Sequence, residues 1–155
     1  MSQYIEFYVG KGDTLIELNA FSRNSSIYRL FYESNSVPYE RVRKITSDEV
    51  ATTIEYIANE IKQLKKSKKE AIKELERLYK AVGDFHKNDE VHQTYEDINT
   101  YIEEVKADIK ADKIALQFAE VFYDMVDSAK YLDNEVNYYV GVESGTNPEI
   151  EKTES

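Results

Sequence analysis

From Val50 the chain sets apolar side chains four and three residues apart in alternation. The series is Val50, Ile54, Ile57, Ile61, Leu64, Ala71, Leu75, Leu78 and Val82, with Lys68 as its one charged member. A second series begins at Val91. It continues through Tyr95, Ile98, Ile102, Val105, Ile109, Leu116, Ala119, Tyr123 and Val126, with Asp112 as its one charged member. A sustained heptad spacing in two adjacent segments predicts an antiparallel coiled-coil hairpin. The residue numbers of facing positions keep a constant sum: Leu78 faces Tyr95, Leu75 faces Ile98, Ala71 faces Ile102 and Leu64 faces Ile109. The two series therefore mesh without a stutter. Thr46-Ser47-Asp48-Glu49 fits a capping box that starts the first helix, and Gly83-Asp84 fits its end.

Ahead of the helices the period changes. Tyr4 to Val9 and Thr14 to Leu18 are aromatic and β-branched runs around Gly10-Lys11-Gly12-Asp13, which reads as a β-hairpin. Residues 26–33 read as a short helix behind Asn24 or Ser25, with a third strand as the rival. The second helix turns apolar on several faces between Ile114 and Val126, so it needs cover on several faces. The expected fold class is α+β: a small β-rich head (1–46) and a long antiparallel coiled-coil helical hairpin (47–135) whose base packs on the head. Residues 136–142 read as an edge strand of the head. Residues 143–155 are polar and read as a disordered tail.

Composition narrows the chemistry. The 155 residues include no Cys, which excludes disulfides, thiolate metal sites and Cys nucleophiles. No apolar run is long enough to span a bilayer, and the first ten residues lack the pattern of a secretory signal, so the expected compartment is the cytoplasm. The two histidines, His86 and His92, fall near the tip of the predicted hairpin and read as exposed side chains rather than metal ligands. Gly10-Lys11-Gly12 lacks the strand–loop–helix setting of a phosphate loop. No catalytic residue, metal or cofactor is expected, and the chain is not read as an enzyme.

Charge is more informative. The net charge is −10. Residues 61–80 carry eight Lys and Arg against three Glu, while the second helix bears acidic pairs at Asp89/Glu90, Glu96/Asp97 and Glu103/Glu104. These pairs are the expected contact residues for a protein partner. One alternative is an acidic mimic of DNA that inhibits a nucleic-acid-binding protein. Another is a homodimer in which the acidic face of one copy meets the lysine row of the next. A third is a binder of a nucleotide signal through Arg23, Tyr28, Arg29 and Tyr32, where Arg beside Tyr pairs with and stacks on a base. The net charge disfavours direct nucleic-acid binding.

Phe21-Ser22-Arg23-Asn24-Ser25-Ser26-Ile27-Tyr28, then Val37-Pro38-Tyr39-Glu40, then a capped helical hairpin, resembles small uncharacterised proteins carried by bacteriophages and prophages of Gram-positive bacteria. The resemblance covers about two-thirds of the chain. It implies a phage-encoded protein acting on a host or phage component, in the manner of anti-defence proteins, and carries no activity over to particular residues.

Overall fold

The computed structural model describes residues 3–82, 89–132, 135–145 and 148–151; for 81, 82 and 89–91 it describes the backbone alone. The fold is α+β. It divides into two compact units, residues 1–58 with 114–155, and residues 59–113.

The first unit holds a five-stranded sheet. Strands β1 (Tyr4–Lys11) and β2 (Thr14–Ser22) form the expected hairpin. It turns at Gly12, whose φ of 62° lies in the region glycine enters at little cost. The register shifts between Phe7 and Tyr8: Phe7 pairs with Asn19 and Tyr8 with Glu17, so Leu18 is the extra residue of a bulge. Residues 26–33 resolve as a helix, α1 (Ser26–Ser34), capped by the Ser25 side chain, which accepts from the Tyr28 N–H at 3.2 Å. Next come β3 (Arg41–Lys44), the long helices α2 (Ser47–Val82) and α3 (Asp89–Ser128), then β4 (Asn137–Val142) and β5 (Glu149–Ile150).

The strand order is β2-β1-β4-β3-β5. The segment expected at the sheet edge is therefore interior: β4 lies between β1 and β3, antiparallel to both. Gly141 permits this, because a Cβ there would lie 2.1 Å from the Arg41 carbonyl oxygen. The expected disordered tail also differs from what is found at 143–145 and 148–151. Glu143 turns the chain with φ 51°, and it holds Tyr4 from both sides. Its N–H donates to the Tyr4 carbonyl at 3.1 Å, and its carboxylate accepts from the Tyr4 N–H at 3.0 Å. Ser144 is buried, and β5 pairs parallel to β3. Polar composition misled here because strand pairing with β3 and hydrogen bonds to β1 supply what side-chain hydrophobicity does not.

Both faces of β1 are buried. Ile5 and Phe7 point to one side, where the Phe7 ring meets Phe21, Phe31, Phe118 and Phe122 at centroid distances of 5.2–6.3 Å. The apolar stretch of α3 finds its cover here. On the other side Tyr8 packs with Val42 and Tyr139.

The start of α2 is the expected capping box. The Glu49 carboxylate accepts from the Thr46 N–H at 3.1 Å, and the Thr46 hydroxyl accepts from the Glu49 N–H at 3.3 Å. Arg43 adds a two-pronged ion pair to Glu49 at 3.0 and 2.6 Å. Burial acts to raise the Glu49 pKa, but the Arg43 hydrogen bond, the Thr46 N–H, the Arg43 charge and the Thr46 hydroxyl together hold it below its ordinary value.

In the second unit α2 and α3 pack together. Between 92 and 113 the side chains shielded from solvent are Tyr95, Ile98, Ile102, Val105, Ile109 and Asp112, the expected series. On α2 the shielded positions from 61 onward are Ile61, Leu64, Lys68, Ala71, Leu75 and Leu78, joined by Ser67. The expected end of α2 at Gly83-Asp84 lies outside the described residues, as does His86.

Candidate interaction surfaces

Helical geometry divides the second unit into two flanks. At about 100° per residue, Ser67, Glu70 and Glu74 fall on one side of the α2 seam, and Ile72, Glu76 and Tyr79 on the other. The grooves follow the same division. One, of about 450 Å³, is lined by Ser67, Glu70, Ala71, Glu74, Asp97, Ile98 and Tyr101. The other, of about 300 Å³, is lined by Ile72, Leu75, Glu76, Tyr79, Lys80 and Tyr95.

The two grooves differ in chemistry. The first has a floor of Ala71, Ile98 and the half-exposed Tyr101 ring, with the carboxylates of Glu70, Glu74 and Asp97 around it. Arg77 pairs with Glu74, and the Gln93 amide donates to Asp97 at 2.8 Å. The second is more apolar, with Ile72 and Tyr79 exposed.

This arrangement separates the acidic pairs expected to act together. Asp97 belongs to the first groove, and Glu104 follows it one heptad later on the same flank. Glu96 and Glu103 fall on the other flank, where His92 lies 3.5 Å from Glu96 and Lys106 lies 3.3 Å from Glu103. Asp89 and Glu90 open α3, and their side chains lie outside those described.

The aromatic and basic residues expected to take a nucleotide lie in the first unit. Tyr28 is buried, its hydroxyl donates to the Gln3 side chain at 3.0 Å, and its ring stacks on Tyr32 at 5.5 Å. Burial raises the Tyr28 pKa, with Tyr32 adding to the effect and Arg23 opposing it. The stack is thus already closed within α1. Tyr32 and Arg29 are exposed at its outer side, and Arg23 is exposed at the end of β2. The two grooves of the second unit are lined by none of these four.

The structure also brings together a polar cluster that sequence reading missed. The Tyr8 hydroxyl lies 2.6 Å from Glu6 Oε2, 2.7 Å from Ser144 Oγ and 3.0 Å from the Gly145 carbonyl. Ser144 gives Glu6 both its N–H, at 3.1 Å, and its hydroxyl, at 3.0 Å. Glu17 pairs with Tyr8 across the hairpin, and burial together with the nearby Glu6 carboxyl raises its pKa. Burial and the Glu6 carboxyl push the Tyr8 pKa far up. Alternation along β1 signals that Glu6 and Tyr8 share a face, but nothing local joins them to Ser144. The cluster ties the segment after β4 to the sheet; among the described residues no group of three or more metal-ligating side chains occurs.

No protein-family model matches this chain, and neither a curated protein nor a solved structure matches it. Among the described residues no helix is long and apolar enough to cross a membrane.

Proposed function

We propose that the chain is a non-catalytic interaction protein whose paired helices offer an acidic groove to a basic segment of a macromolecular partner. The supporting observation is the groove of about 450 Å³ in which Glu70, Glu74 and Asp97 surround Ala71, Ile98 and Tyr101. An amphipathic segment bearing Lys or Arg beside apolar side chains satisfies such a surface in both respects: apolar contact on the floor, charge at the rim. In this reading the two helices form an antiparallel coiled coil that holds the groove open, and the protein acts in the cytoplasm of a phage-infected or prophage-bearing host.

The test is a fluorescence titration of the chain with a labelled Lys/Leu helical peptide, beside a peptide in which Gln replaces Lys. The expected result is binding of the basic peptide alone, weakening as salt rises. The triple variant Glu70→Gln, Glu74→Gln, Asp97→Asn should lose on the order of tenfold in affinity, since each rim pair contributes about 0.2–1 kcal/mol. Equal binding of both peptides, or an unchanged affinity in the variant, would overturn the reading.

A further inference from the structure

The second unit is electrically two-sided. The flank holding the acidic groove carries Glu60, Glu70, Glu74, Asp97, Glu104 and Asp108 against Arg77 alone. The opposite flank carries Lys62, Lys65, Lys69, Lys106, Lys110 and Lys113 against Glu76, Glu96 and Glu103. Each flank also has an exposed aromatic ring: Tyr101 on the acidic one, 45% exposed, and Tyr79 on the basic one, 61% exposed.

We infer that the partner that fits the acidic groove is the basic flank of a second copy of this chain, so that copies associate side by side through their paired helices. This rests on the reading of the groove as a binding surface and names its occupant. The charges are complementary, the repeat along both flanks is the same heptad, and Ile72 and Tyr79 supply the apolar side chains that the groove floor accepts.

The contact is heterologous: one flank meets the other, leaving an unused flank at each end, so association does not stop at a dimer. It is also weak. Residues 59–82 span about 36 Å, and a strip one to two helix diameters of about 10 Å wide offers on the order of 350–700 Å² per copy. A stable pair needs about 800 Å² from each partner. The attraction between exposed charges falls as the screening length shrinks below about 10 Å.

Sedimentation velocity on the full chain over a range of concentration and salt tests this. The expected result is a mass average that climbs past the dimer with concentration at low salt and returns to the monomer at high salt. Reversing the acidic flank (Glu70→Lys, Glu74→Lys, Asp97→Lys) or the basic flank (Lys62→Glu, Lys65→Glu, Lys69→Glu) should give a monomer in each case. Mixing the two variants should restore association, because each then supplies the flank the other lacks. All six positions are exposed, and circular dichroism verifies that the helices persist. A wild-type chain that remains monomeric, or a species that stops at the dimer, overturns the inference. A monomeric chain that still takes the basic peptide overturns self-association alone; one that does neither removes the groove reading as well.

Discussion

The two units are held together in different ways. In the first, Phe7 sits at the centre of a ring cluster drawn from β2, α1 and α3, and β1 is buried on both faces. Each side chain there touches neighbours from several directions. In the second, the shielded side chains fall mainly along one face of each of two packed helices. That shielding is graded: Ile61, Ile102, Val105 and Ile109 are buried, while Leu75, Leu78, Tyr95 and Ile98 are only half-buried. A layered core spreads the loss of one side chain over many contacts and fails as a whole. A seam fails locally and leaves its flanks free for charge.

The largest expected effect comes from striking the layered core. Phe7→Ala removes a ring that is 1% exposed, and a deletion of this kind costs about 3–5 kcal/mol. Urea denaturation followed by circular dichroism should show the loss over the entire transition. Ile102→Ala, at the buried part of the seam, costs about 2–3 kcal/mol, and Leu75→Ala at the half-buried part costs about 1 kcal/mol. Hydrogen exchange sharpens the contrast: amides of 67–80 and 92–100 should exchange faster in Leu75→Ala with the sheet amides unchanged. A uniform increase across both units would mean that the seam and the layered core unfold as one.

The difference also explains what could be read from the chain. A heptad seam is a local pattern, so the shielded positions of α2 and α3, down to Asp112 at a core site, were legible from spacing alone. Sheet order is not local. Arg41-Val42-Arg43-Lys44 shows one apolar residue among three cations, and only Val42 tells of burial, so the pattern predicts no strand there. Without β3, residues 136–142 have no second neighbour and read as an edge. The Glu6–Tyr8–Ser144 cluster joins positions more than 130 residues apart, and no spacing rule reaches that far. The charges of the candidate groove were visible as residues. Their division into two flanks needed the direction of the seam, which separates Glu96 from Asp97.

A smaller effect is expected at the start of α2, where the charge chemistry runs opposite to that of the sheet. Thr46→Ala removes the hydroxyl that accepts from the Glu49 N–H and costs about 1 kcal/mol. Glu49 keeps its bond to the Thr46 N–H and its pairing with Arg43. Because the folded state lowers the Glu49 pKa, its stabilisation is present above the ordinary carboxyl range and is lost as pH falls through the folded value. Thermal melts should show both proteins losing stability as Glu49 takes up its proton, with most of the gap between them persisting into acid, because the lost cap on the Glu49 N–H does not depend on that charge.

The smallest effect is the most diagnostic. Glu17 pairs with Tyr8 across the β1–β2 hairpin, on the face that carries the buried Glu6 carboxyl. Burial and the charge of Glu6 raise the Glu17 pKa above the ordinary 4.5. A raised folded pKa means that the folded state holds the proton more tightly than the unfolded chain does. Its contribution to stability is therefore complete below about 4.5 and is lost as pH rises through the folded value. Glu17→Gln keeps the size of the side chain and carries no charge at any pH. The urea midpoints of wild type and variant, compared from pH 4 upward, should differ by an amount that grows in favour of the variant as pH rises and then levels off. Glu49 titrates alike in both proteins, so it cancels in the difference. Parallel curves would show that Glu17 is too well solvated for the neighbouring carboxyl to matter.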